Sequence, residues 1–393
     1  MTSGFKKVTL HSGKERSLLL RHPWVFSGAV RKTDSGISEG ETVEVLGANG
    51  EYLATGHYHE GSIKVRVFAF ERNDSGKEFW KNKFMAALAL RKRLGLGTTA
   101  TDAYRLIHGE GDGFPGLIID IYGAAAVLQA HTLGMHSLRH TFAEILLQLF
   151  DGVIDTVYDK SSESLGRQQS LGSINSFLKG DRAETVVSES GIRFAVNYVE
   201  GQKTGFFLDQ RENRLLLRQH SRDKSVLNTF CYSGGFSLAA LAGGAGHVVS
   251  VDSSAKATAL AERNTELNGF GSHEILTADV FEFLKKDTRL YDTVILDPPA
   301  FAKHLSSVDK AVVGYRNLNV QGFRKVKSGG LLFTFSCSQV IDKALFRKVV
   351  FQAAAQSGRN VRILHQLTQG PDHPISIYHP EGEYLKGLVL YVD

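Results

Sequence analysis

Over the first seventy residues, hydrophobic and polar positions alternate in short runs. "ETVEVLGANGEYLATGHYHEGSIKVRVFAF" (41–70) holds three β-rich runs, with Asn49-Gly50 and Glu60-Gly61 as turn signals between them. "HPWVFSGAVRK" (22–32) adds a further strand beside Pro23. Strands this short and this closely spaced predict a small barrel. A polar connector, "ERNDSGKEF" (71–79), follows. The spacing then turns helical from Phe79 to Leu94, with Phe84, Leu88 and Arg91 on successive turns. "YRLIHGEGDGFPGLIIDIYGAAAVLQA" (104–130) reads as a strand, a Gly-rich turn and a strand pair. Residues 136–150 predict one amphipathic helix carrying Leu138, Phe142, Ile145 and Leu149, and "VIDTVYDK" (153–160) a strand.

From about residue 186 strand and helix patterns alternate. "SVLNTF" (225–230) precedes a helix from Gly235, and "HVVSVD" (247–252) a helix over 254–268. "HEILTAD" (273–279) precedes a short helix, and "YDTVILD" (291–297) a loop and a helix near 306–326. "GLLFTFS" (330–336) precedes a helix over 342–356. Two final strands, within "VRILHQLT" (361–368) and "YLKGLVLYV" (384–392), have no helix pattern between them. Five βα units and a terminal pair predict an α/β fold, a doubly wound sheet closed by a C-terminal β-hairpin. The expected organisation is a β-barrel over 1–72, a small α+β middle domain over 73–185, and the α/β domain over 186–393.

Composition changes this picture little. Hydrophobic residues make up 42% and charged residues 22% of 393, as in an ordinary globular chain. No apolar run is long enough to span a membrane, and the basic N-terminal stretch lacks the apolar core of a signal peptide. The expected location is the cytoplasm. Two cysteines exclude a disulfide framework and a cysteine-rich zinc site. A net charge of +5 leans towards an anionic partner. His136 and His140 lie one helical turn apart but lack a third ligand, so no metal is expected. His57 and His59 are assigned to a turn or to a surface facing that anionic partner.

Candidate chemistry gathers where the strands of the last domain end. The first closes in "NTFCYSGGFS", the second in Asp252, the third in Asp279, the fourth in Asp297-Pro298-Pro299-Ala300-Phe301, and the fifth in Ser336-Cys337-Ser338. In an open α/β sheet these ends line one edge, where ligands bind. Gly234 and Gly235 allow close backbone approach without completing a GxGxxG fingerprint, which disfavours a nicotinamide cofactor. Asp252 suits a ribose diol and Asp279 an adenine amino group, although a single Asp equally caps a helix. Two prolines after Asp297 stiffen a loop whose acceptors could grip a planar base, or serve only as a turn.

These motifs resemble the class I S-adenosylmethionine-dependent methyltransferases, and more closely the ribosomal RNA large subunit methyltransferase I family. The matching segments are "GQKTGFFLDQRENR" (201–214), "LNTFCYSGGFS" (227–237), "DPPAF" (297–301), "FTFSCS" (333–338) and "DHPISIYHPEGEYLKG" (372–387). The N-terminal segment is similar to that family's PUA domain, an RNA-binding barrel, and residues 104–123 to its middle domain. The resemblance implies S-adenosylmethionine as cofactor, with Gln210, Arg211, Phe230, Tyr232, Ser233, Gly234, Gly235, Asp252, Asp279, Asp297 and Pro298 around it. It implies that Pro298, Pro299 and Phe301 meet the substrate base, and that Cys337 and Asp297 are catalytic. The implied product is 5-methylcytosine in large-subunit ribosomal RNA, with a homodimer compatible with the chain. Lys203, Arg214 and Lys386 also fall within matched motifs, as phosphate contacts or solvated charges.

The chemistry explains why a cysteine is needed. Carbon 5 of cytosine is a poor nucleophile until a thiolate adds to carbon 6, and Asp297 can hydrogen-bond the ring nitrogen as the adduct forms. Cys337, with small serines on either side leaving room for a base, is the expected nucleophile. Cys231, inside the cofactor turn, is read as packing. Ala300 stands where some enzymes of this chemistry carry a second cysteine. Two alternatives stay open: an exocyclic-amino methyltransferase that uses the Asp297 loop without a thiol, and an inactive RNA-binding protein.

Overall fold

The computed structural model describes residues 4–165, 174–302 and 304–393. Residues 166–173, within the middle domain expected over 73–185, therefore lie outside the described residues. The chain divides into two compact units, one of residues 1–187, 196–206 and 371–382, the other of 188–195, 207–370 and 383–393.

The first unit contains a six-stranded sheet in the order Trp24–Phe26, Ile63–Ala69, Tyr52–Tyr58, Thr42–Leu46, Lys6–Leu10, Val30–Thr33. Val8, Val43, Val45, Ala54 and Val65 point to its buried side, which explains the alternation seen in the sequence. A five-stranded sheet follows, from Ala103–His108 at one edge to Ser176–Lys179 at the other. Its apolar face packs under Phe84, Leu88, Phe142 and Ile145 from helices Lys77–Arg93 and Arg139–Leu149.

Two expectations fail here. The single helix over 136–150 is broken at Leu138 into Leu133–Ser137 and Arg139–Leu149. His136 consequently turns inward, its Nε2 lying 3.1 Å from Asp159 Oδ2. His57 is buried within strand Tyr52–Tyr58 and so lies neither in a turn nor on an RNA-facing surface, whereas His59, also buried, sits in the turn that follows, its N–H donating to the Lys64 carbonyl at 2.8 Å. His57 packs against Phe68 and Trp80, where burial pushes its pKa down to about 3. His59 bonds Glu39.

The second unit is built on a seven-stranded sheet. Its strands are β1 (Ser225–Thr229), β2 (His247–Asp252), β3 (His273–Thr277), β4 (Tyr291–Leu296), β5 (Val326–Ser336), β6 (Val361–Leu367) and β7 (Lys386–Val392). Their order is β3-β2-β1-β4-β5-β7-β6, with β7 antiparallel to both neighbours and the other described pairs parallel. The helices are α1 (Arg211–Gln219), α2 (Gly235–Ala242), α3 (Ala255–Leu267), α4 (Val280–Lys286), α5 (Val308–Lys325) and α6 (Lys343–Ser357). Parallel strands covered on both faces read as continuous apolar runs. Val294, Leu296 and Leu332 accordingly join Tyr315 and Leu318 of α5 in one core, while Ile295, Phe333 and Phe335 join Leu217 and Phe236 in another.

The antiparallel seam between β5 and β7 fixes the end of β5. Phe335 lies opposite Gly387, and Ser336 opposite Lys386. A methyl group on Gly387 would stand 2.6 Å from the Phe335 ring, so only glycine leaves that ring its place. Gly387→Ala should overpack the seam and cost about 1–3 kcal/mol. Urea unfolding should show a lower midpoint at unchanged slope, and an unchanged midpoint would contradict the packing argument.

Candidate active site at the carboxyl edge

Strand order reverses between β1 and β4, and the ends of β1, β2, β4 and β5 open on the same edge of the sheet. The turn after β1 is the most constrained backbone there. Phe230, Tyr232 and Gly234 all have left-handed φ, at 57°, 46° and 82°. For the two aromatic residues this conformation costs energy and needs outside support. Asp252 supplies some: its Oδ2 accepts the Tyr232 N–H at 3.0 Å, and its Oδ1 accepts the Ser254 N–H at 2.9 Å. Asn264 of α3 supplies more, its Nδ2 donating to the Ser233 carbonyl at 3.0 Å and its Oδ1 accepting from Ala195 N at 2.8 Å.

Gly235 opens α2 against Arg214, whose Cδ would lie 3.1 Å from an added Cβ. Arg214 is neither a phosphate contact nor a solvated charge. It is buried and makes a two-pronged pair with Glu189, at 2.7 and 2.6 Å. Its Nη1 also donates to the Phe207 carbonyl at 2.9 Å. Lys386 is likewise buried, whereas Lys203 is exposed.

Gln210 and Asn213 are buried and linked, and the Gln210 amide donates to Asp297 Oδ2 at 3.1 Å. Asp297 is half-buried, and desolvation with the nearby negative charge of Asp209 raises its pKa to about 7. Asp209 itself accepts the Tyr384 hydroxyl at 2.7 Å on Oδ2, while its Oδ1 is buried without a hydrogen-bond partner among the described residues. Arg211 is buried beside Glu212.

Pro298 is buried and Pro299 exposed. The half-buried Phe301 ring sits on Tyr315, with centroids 4.6 Å apart, and Phe281 and Phe230 continue an aromatic row at 6.4 and 6.5 Å. Asp279 is exposed and caps α4 by accepting the Glu282 N–H at 2.9 Å, which is the bland role allowed for it above. Asp252 caps no helix, because Ser254 caps α3.

Cys337 follows β5 and is half-buried, whereas Cys231 is buried and its thiol is pushed up to about 12 by desolvation. The serines beside Cys337 do not leave open room. Both are fully buried, and Ser338 Oγ bonds the Tyr315 hydroxyl at 2.9 Å and the Ala302 N–H at 3.3 Å. They anchor the loop at the end of β5 to α5 and to the proline loop. Sequence reasoning missed Asp209, Asn264 and Tyr315, since nothing local marks an Asp, an Asn or a Tyr as the partner of a distant turn.

The donor set suits an adenosine-bearing cation. Asp252 retains a lone pair on each oxygen for a diol. Asp252 and Asp279 together make an acidic edge that would repel a phosphate chain and attract a sulfonium. Fold and site thus define a class I methyltransferase. Among the described residues there is no group of three or more side chains that could hold a metal ion, and no helix long and apolar enough to cross a membrane.

Comparison with known proteins gives the same class. Residues 161–382 match the model of an S-adenosylmethionine-dependent methyltransferase family, and residues 8–70 that of a PUA-like domain. The chain is 39% identical to ribosomal RNA large subunit methyltransferase I of Pseudoalteromonas atlantica, over 98% of this chain and 99% of that one. It is 37% identical to the enzyme of the same name from Vibrio vulnificus, over 98% and 99%. A Streptococcus mutans structure assigned to the SAM-dependent methyltransferases shares the fold, with a TM-score of 0.83 at 23% identity over 98% of this chain and 100% of that one. The chain belongs to the ribosomal RNA large subunit methyltransferase I family of S-adenosylmethionine-dependent methyltransferases. Its cofactor is S-adenosylmethionine.

Two outcomes follow from this geometry. Asp252→Ala should weaken S-adenosylmethionine binding by about ten- to a hundredfold, the scale of lost hydrogen bonds to a charged group; calorimetry measures it, and unchanged affinity would remove Asp252 from the site. Asp297 holds its proton more tightly folded than unfolded, so it lowers stability as pH rises from about 4 to about 7. Asp297→Asn should therefore raise the melting temperature more at pH 8 than at pH 5, and an equal change at both would show that Asp297 carries no such penalty.

Proposed function

We propose that this chain methylates carbon 5 of a cytosine in large-subunit ribosomal RNA, with Cys337 as the attacking nucleophile. The observation that carries this reading is the juxtaposition of two strand ends. β4 and β5 are parallel neighbours with Leu296 opposite Thr334, so Asp297 and Cys337 emerge from adjacent strands on one edge. The names of the relatives supply the RNA class.

When bound, S-adenosylmethionine supplies an electrophilic methyl group. The Cys337 thiolate adds to carbon 6, which makes carbon 5 electron-rich enough to take that methyl. The carbon 5 proton is then lost, the Cys337–carbon 6 bond breaks, and the thiolate is regenerated. Asp297, with a pKa near 7, is protonated in a large fraction of molecules at neutral pH and can share a proton with the cytosine ring nitrogen as negative charge develops there. Pro298, Pro299 and Phe301 form the wall against which the base would rest, and the base must leave its stack to reach the thiol. The barrel over 1–72 and the middle domain over 73–185 would dock surrounding RNA through phosphates and shape, in the cytoplasm.

Cys337→Ala should reduce 5-methylcytosine formation by several orders of magnitude, the scale of nucleophile removal. RNA carrying 5-fluorocytosine should become covalently attached to the unaltered enzyme, because fluorine blocks the final loss of the proton. Nucleoside mass spectrometry of ribosomal RNA from cells with and without the protein reads the product. A methylated exocyclic amine in place of 5-methylcytosine, or full activity of Cys337→Ala, would overturn the proposal.

A further inference from the structure

Lys386 opens β7 opposite Ser336 and is buried, an expensive place for an ammonium. Its Nζ donates to the Ser338 carbonyl at 2.6 Å and to the Tyr384 carbonyl at 2.7 Å. Ser338 is the residue next to Cys337, so the amine is tied to the loop that holds the thiol. Two carbonyls satisfy hydrogen bonds but not charge.

The groups that could balance that charge are few. Desolvation lowers the Lys386 amine to about 8; against it act Cys337 first, then Glu383 and Asp342, with Lys343 opposing them. Both carboxylates have their own partners. Glu383 pairs with Lys343, and Asp342 caps α6 by accepting the Leu345 N–H at 2.7 Å. Tyr315, on the α5 side, is a neutral phenol at physiological pH, since burial raises its pKa. Cys337 is left as the anion that a buried ammonium at this position can serve.

We propose that the Lys386 ammonium stabilises the Cys337 thiolate, which makes Lys386 the positioning residue of the nucleophile. This rests on the reading of Cys337 as nucleophile but concerns only the ionisation of its thiol. A cation tied to the loop that holds the thiol raises the thiolate fraction at neutral pH, where an ordinary cysteine is mostly protonated. The role explains why this strand begins with a lysine that reaches no solvent.

The test is alkylation of Cys337 by iodoacetamide from pH 6 to pH 10 in the full chain, read at that residue by peptide mass spectrometry. Lys386→Met should move the profile to higher pH by about one unit or more, close to tenfold slower alkylation at pH 7. Lys386→Arg should retain most of the wild-type profile. Intact thermal unfolding and S-adenosylmethionine binding show that the variants are folded. A second measurement does not depend on Lys386 variants: in Cys337→Ala, the Lys386 amine, followed by carbon-13 NMR of labelled lysine, should titrate at lower pH than in the unaltered chain. An unmoved alkylation profile in folded Lys386→Met, or an unmoved lysine titration in Cys337→Ala, would overturn the proposal. Neither outcome depends on methylation, so a Cys337→Ala enzyme that still forms 5-methylcytosine would instead remove the nucleophile reading.

Discussion

Parallel hydrogen bonding between β1, β4 and β5 determines where Asp297, Cys337 and the turn after β1 end. Val226 to Thr229 pair with Thr293 to Leu296, and Thr293 to Leu296 pair with Leu331 to Thr334. Thr229 Oγ1 adds a side-chain bond to the Ile295 carbonyl at 2.7 Å, locking the ends of β1 and β4 together. A slip of one residue would invert the faces of these strands. The apolar sets on both faces are fully buried, so such a slip would be prohibitive. The rigidity of the core is therefore what holds Asp297, Cys337 and the turn after β1 at fixed separations, and the strained Phe230 and Tyr232 persist because this frame surrounds them.

The electrostatics of the edge divide into a settled part and a poised part. Arg214 and Glu189 form a buried, two-pronged pair beneath the turn after β1. Such a pair contributes little net stability but fixes Gly235 and the start of α2 against one geometry. Asp297 and Lys386 are poised instead. Their ionisation points lie near 7 and near 8, because burial penalises the charge of each. Groups held near neutrality can exchange protons and respond to a ligand's charge, whereas Arg214 cannot. The acidic ends of β2 and β3 complement a sulfonium, and the basic residue, Lys386, opens β7 opposite Ser336 at the end of β5.

Much of this was legible in the sequence because the fold announces itself where apolar runs stop. Asp252, Asp297 and Cys337 each end a run of buried strand residues, and their position on the edge follows from the βα alternation alone. Burial of polar residues was not legible. Arg214 and Lys386 read as solvent-facing because nothing in a local pattern reveals a Glu189 or a Ser338 carbonyl waiting for them. His57 reads as part of a turn or an RNA-facing surface, yet it lies within a strand and Trp80, from a later helix, stacks against it. The break at Leu138 was hidden for a related reason: the apolar spacing continues through it, and the inward pull of Asp159 on His136 appears only in three dimensions. The serines beside Cys337 were read from their size, when their hydroxyls mattered more.

The two cysteines show how the same side chain is given different chemistry by its surroundings. Cys231 lies within the turn after β1, with the Asp252 carboxylate nearby and little access to water. Both features oppose a thiolate, so the thiol stays protonated and serves as packing. Cys337 lies past the end of β5, partly open, with a buried ammonium anchored to the next carbonyl. The difference between the two sites therefore resides in Asp252 and Lys386 as much as in the cysteines: the carboxylate opposes ionisation of one thiol, and in the role proposed for Lys386 the ammonium favours ionisation of the other.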